Sequence, residues 1–84
     1  MELFFTKEAI ANLRRLDAAT QDRILKKIEW LAEQDAPFLL VKQLANHPGI
    51  YALRVGKYRI LLSADGAILT VHRVGRRDEV YRKM

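Results

Sequence analysis

The chain has 84 residues, with 15 Lys/Arg against 10 Asp/Glu, two histidines and no cysteine. That length holds one small domain, residues 1–84, and with half its residues apolar the chain is not expected to be disordered. The absence of cysteine removes disulfides, thiolate metal sites and a cysteine nucleophile, and two histidines in no ligand spacing predict neither a metal nor a cofactor. No apolar run reaches the length of a membrane span, and the first residues lack the regions of a signal peptide. The expectation is a soluble, cytoplasmic protein.

Residues 2–5, Glu-Leu-Phe-Phe, read as a short strand. Thr6 is a good N-cap, and Glu8 follows where the helix dipole favours an acid. Ala9, Ile10, Leu13 and Leu16 then predict a helix over residues 7–16 with one apolar stripe. Asp17 to Thr20 break it, and either of these two residues can cap the next helix. In that helix Ile24, Ile28, Leu31 and Ala32 recur at helical spacing, Leu25 and Trp30 widen the apolar surface, and Pro37 forbids extension much beyond Gln34. Trp30 fits either the edge of the sheet or a partner.

Phe38 to Val41 is apolar and leads through Lys42 to a loop, Ala45-Asn46-His47-Pro48-Gly49, rich in turn formers. Tyr51, Leu53 and Val55 alternate with Ala52 and Arg54. Gly56-Lys57 then turns the chain, and Tyr58, Ile60 and Leu62 alternate with Arg59, Leu61 and Ser63. Asp65-Gly66 signals a second hairpin, and Ile68 to Val74 is its return strand, with His72 read as a half-buried sheet residue. Gly75 ends the strand, and Val80-Tyr81 can add a short final one. The pattern β-α-α-β-β-β(-β) predicts an α+β fold, an antiparallel sheet with a helical hairpin packed on one face. Tyr51, Leu53, Val55, Tyr58, Ile60 and Leu62 form the face under the helices. Arg54 and Arg59 fall on the open face.

The charge is one-sided. Residues 1–41 carry six Lys/Arg against seven Asp/Glu, whereas residues 42–84 carry nine (Lys42, Arg54, Lys57, Arg59, Arg73, Arg76, Arg77, Arg82, Lys83) against three. Such a field attracts polyanions, although a solvated basic face has the same composition. Arginine forks bind phosphate and aromatic rings stack on bases, so an RNA- or DNA-binding surface is the reading of these residues alone.

The run Gly49-Ile50-Tyr51-Ala52-Leu53-Arg54-Val55-Gly56-Lys57-Tyr58-Arg59-Ile60, followed by Arg73-Val74-Gly75-Arg76-Arg77-Asp78-Glu79-Val80-Tyr81-Arg82, resembles the RelE/ParE toxin superfamily. The resemblance covers nearly the whole chain and lies closer to the RelE branch. It implies a RelE-like fold and the toxin of a type II toxin–antitoxin system, neutralised by a cognate antitoxin and meeting operator DNA only through that complex. For the RelE branch it implies a ribosome-dependent, metal-independent endoribonuclease that cuts mRNA in the ribosomal A site. For the ParE branch it implies inhibition of DNA gyrase, and a degenerate non-toxic member is a third reading. Arg59, Arg77 and Tyr81 match the catalytic positions of the nuclease branch, the arginines stabilising the phosphorane and the tyrosine orienting the nucleotide or passing a proton. The remaining RNA contacts implied are Lys42, His47, Arg54, Lys57, Arg73, Arg76 and Arg82. Ala52 stands where the nuclease branch carries a basic residue, which leaves Lys42, His47, Arg54 and Lys57 as substitutes.

Overall fold

A computed structural model describes residues 1–82. Its elements are β1 (Glu2–Phe5), α1 (Lys7–Arg14), α2 (Ala18–Ala32), a 3₁₀ turn (Pro37–Leu39), β2 (Lys42–Gln43), β3 (Tyr51–Val55), β4 (Tyr58–Asp65), β5 (Ile68–Arg76) and α3 (Arg77–Val80). The strands form one sheet in the order β1-β5-β4-β3-β2. The α+β architecture and the helical hairpin on one face are as the sequence pattern predicts. The sheet, however, is mixed. The β2–β5 meander is antiparallel, whereas β1 runs parallel to β5, from Glu2 opposite Ile68 to Phe5 opposite Val71. The chain between them runs through both helices and then β2, β3 and β4, a long connection of the kind a parallel pair needs, since a tight turn cannot make one.

Both helices begin on side-chain caps. The Thr6 hydroxyl accepts the Ala9 N–H at 3.1 Å, and the Asp17 carboxylate accepts the Thr20 N–H at 2.9 Å. Hydrogen bonding from Thr20 holds the Asp17 carboxyl below its ordinary pKa. Ala9 and Leu13 of α1 are buried with Leu16 packed beside them, whereas Ile10, expected on the same stripe, faces outward and is 39% exposed. From α2 the core takes Ile24, Ile28, Leu31 and Ala32, and from the sheet Leu53, Val55, Ile60, Leu62, Leu69, Val71 and Val74. Trp30 stays at the surface with the Lys27 ammonium 4.0 Å from its ring centroid. Phe38 stacks on Tyr51 with centroids 4.4 Å apart, closing the core's far end.

Both hairpins turn through two residues, Gly56-Lys57 and Gly66-Ala67, with the glycine first and at positive φ (59° and 60°). The second turn is thus one residue later than the Asp65-Gly66 expected, because Asp65 still pairs with Ile68. Glycine in the first central position is the type II′ requirement.

The β4–β5 register shifts once. Leu61 pairs with Arg73, but Leu62 pairs with Val71, so His72 is an extra residue on β5. The bulge is bonded on both sides. Ser63 Oγ lies 2.6 Å from His72 Nε2, and the Thr6 hydroxyl donates to the His72 carbonyl at 2.9 Å. Beyond Phe5 no strand covers this edge of β5, and α1 takes over, with Asn12 Oδ1 accepting the Val74 N–H at 3.0 Å. Val74 is only 4% exposed, so its N–H has little access to water as an alternative partner. Asn12→Leu is therefore expected to destabilise the fold by about 1–3 kcal/mol while keeping the helix. Urea denaturation of the two proteins checks it.

Candidate nucleic-acid interface

The face of the sheet opposite the helices is set by the same register. Arg54 pairs directly with Arg59, and Arg59 with Gly75, so these three lie in one row across β3, β4 and β5. Lys42, Ala52, Leu61 and Arg73 form the adjacent row. Like charges directly opposite each other on a sheet are unfavourable unless something anionic lies between them. Among the described residues Arg54 bonds only the Gly56 carbonyl (3.3 Å) and the half-buried Arg59 only its neighbour's, Tyr58 (3.4 Å). Among the described residues neither arginine meets a carboxylate.

The last residues do not add a strand. Arg77–Val80 form a single helical turn that packs on β4 and β5. Two local features cause this. Glu79 accepts the Arg76 backbone N–H at 3.2 Å, which closes the turn's first end. Gly75 leaves a space that Val80 fills, since a Cβ on Gly75 would stand 3.2 Å from Val80 Cγ1. Val80 is 2% exposed and Leu61 1%, a small apolar patch on the otherwise basic face and separate from the main core.

This turn carries the expected catalytic pair. Arg77 and Tyr81 are four residues apart, one helical turn, and so share a side of α3, while Val80 faces the sheet. Arg77 is exposed and Tyr81 half-buried. Tyr81 in turn bounds a cleft of about 310 Å³ whose other walls are Leu44, Ala45 and His47. The β2–β3 loop brings His47 there, reversing through Asn46 at φ 66° and Gly49 at φ 85°. Leu44 N–H to the Ile50 carbonyl closes the loop at 2.9 Å.

The other expected contacts divide. Lys42 is exposed on the edge strand, Lys57 at a hairpin tip, and Arg76 and Arg82 at the two ends of α3. Arg73 is different. Its half-buried guanidinium bonds Glu8 through Nε and the carbonyls on either side of Tyr81 through Nη1. One cation was not among the expected contacts. Arg23 of α2 reaches across to the β3–β4 turn, its guanidinium 2.8 Å from where a Gly56 Cβ would be, and joins Arg54 and Lys57 at that end. Only the packing of α2 on the sheet reveals it. Among the described residues no three His, Cys, Asp or Glu side chains group to hold a metal, and no helix is long and apolar enough to cross a membrane.

The fold is shared with solved structures of toxin–antitoxin systems. The RelB–RelE antitoxin–toxin complex from Methanococcus jannaschii aligns with a TM-score of 0.74 at 25% identity, covering 93% of this chain and 94% of that one. The intact E. coli RelBE complex aligns with a TM-score of 0.74 at 22% identity (89% and 94% covered). The chromosomal ParDE system of P. aeruginosa gives 0.72 at 18% identity (90% and 95% covered). No curated protein matches in sequence. The family described as ParE toxin of type II toxin–antitoxin system, parDE, matches residues 3–81. The chain belongs to that family, within the RelE/ParE superfamily.

If Gly75 is the seat of α3, Gly75→Val displaces the turn and Tyr81 with it. Amide hydrogen exchange is expected to accelerate across residues 77–82 while protection in β3 and β4 persists.

Proposed function

We propose that this toxin is an mRNA endoribonuclease acting on the ribosome in the cytoplasm, held inactive by a cognate antitoxin. The observation that carries the reading is the cleft in which Tyr81 faces the His47 loop, with Arg77 one turn before Tyr81. The Arg54–Arg59 pair on the same sheet face supports it. The chemistry follows from those groups. The 2′-hydroxyl of the RNA attacks the adjacent phosphorus, its proton passes to a base, and the bond to the 5′-oxygen breaks as that oxygen takes a proton. The products are a 2′,3′-cyclic phosphate and a 5′-hydroxyl. An imidazole is a group that can take the first proton, and a phenol one that can supply the second or hold the nucleotide by stacking. Fixed guanidiniums stabilise the extra charge of the phosphorane without being deprotonated. His47 thus fills the part left open by Ala52. The ribosome supplies what this open cleft lacks, the positioning of the strand.

The match to the ParE family favours a second reading, a gyrase-directed toxin that uses the same face as a binding surface. One experiment separates them. Purified protein is added to a translation system and mRNA ends are mapped by primer extension, beside a gyrase supercoiling assay. Codon-aligned cuts are expected, weakened about 10²–10³-fold in Arg59→Ala and in Tyr81→Phe, with gyrase unaffected. Gyrase inhibition with intact mRNA overturns the nuclease reading.

A further inference from the structure

Arg73 is half-buried, with its side chain 24% exposed, unlike the exposed Arg76, Arg77 and Arg82 beside it. Its Nη1 donates to the Val80 carbonyl at 3.1 Å and to the Arg82 carbonyl at 2.7 Å. Those are the residues on either side of Tyr81. Its Nε meets Glu8 of α1 at 3.2 Å. One guanidinium therefore clamps the backbone on both flanks of Tyr81 and is itself aimed by α1.

Little else can do so. A turn of four residues has no stability of its own, and its terminal carbonyls need donors. α3 does not lean on α1, because a cleft of about 270 Å³, reaching from Glu8 and Asn12 to Glu79 and Arg82, lies between them. Val80 packs against Gly75, which fixes height above the sheet, and Arg73 bonds the chain on both sides of Tyr81, which fixes it there. The planar fork suits this task better than an ammonium, which can meet one or two of the three acceptors but lacks the fork that meets all of them in fixed directions.

We propose that Arg73 is the positioning residue of the site. It holds Tyr81 in its working orientation through the Val80 and Arg82 carbonyls, and Glu8 holds Arg73. The inference rests on the nuclease reading for its catalytic consequence, but not for the anchoring itself. The test uses the full chain with ring-labelled tyrosine and labelled core methyls, observed by NMR. In Arg73→Gln the Tyr81 ring resonances are expected to shift and average, while Tyr51, Tyr58 and the core methyls stay in place. In the translation assay kcat is expected to fall about 10²-fold with KM unchanged, and Arg73→Lys to recover part of the loss. Should Arg73→Gln unfold the chain, Glu8→Gln gives the same reading as a smaller displacement of the same ring. An unmoved Tyr81 ring in a folded variant overturns the proposal, as does a loss that falls on KM alone. A displaced ring in a protein that never cuts mRNA overturns the nuclease reading and leaves the anchoring in place.

Discussion

The side on which Arg73 and Gly75 lie, and with them the seat of the tail, depends on one irregularity, the extra residue His72 where β4 meets β5. Side chains alternate along a strand, so a slip of one residue exchanges the two faces. Val71 and Val74 are both in the core, which strict alternation forbids. With the bulge between them, Val71 faces the helices from one stretch of β5 and Val74 from the next. Arg73 and Gly75 are thereby sent to the open face. Without the bulge Gly75 would lie under α1, Val80 would have no seat, and Arg73 would be a charge in the core.

That constraint links the helical layer to the basic face. The bulge carbonyl is bonded by Thr6, the next edge amide by Asn12, and the arginine it reorients by Glu8. All three partners lie at or within one and a half turns of the start of α1. The first helix thus stabilises the sheet from one side and orders the tail on the other. The tail then decides where Arg77 and Tyr81 are presented, while the sheet alone presents Arg54 and Arg59. The site is assembled from the sheet face and the tail turn seated on it, with a loop carrying His47 as its third part.

Much of this was legible in the sequence. The meander follows from alternation, the helices from Thr6 and Asp17 as caps, and the apolar face from Tyr51 to Leu62, because each is a local pattern with a local cause. What was not legible depends on contacts between distant residues. The parallel pairing of β1 is a choice of sheet edge. Val80-Tyr81 reads as a short strand, but the space above Gly75 seats Val80 and the tail forms a helical turn. Arg73 reads as one more surface cation until Glu8 and the tail carbonyls close on it. The family was carried by the motifs from Gly49 to Ile60 and from Arg73 to Arg82. The RNA reading was carried by Arg59, Arg77 and Tyr81, and the structure adds the His47 cleft beside the last of these.

The central claim is that the Tyr81 side of the open face meets RNA. Its most direct test is a photo-crosslink. p-Azidophenylalanine is placed at position 81, and in a second protein at position 30, where Trp30 lies exposed on the helical layer. Each is irradiated on translating ribosomes in the presence of gyrase. The account predicts mRNA crosslinked from position 81 and none from position 30. Gyrase captured from position 81, with no mRNA attached, would contradict it.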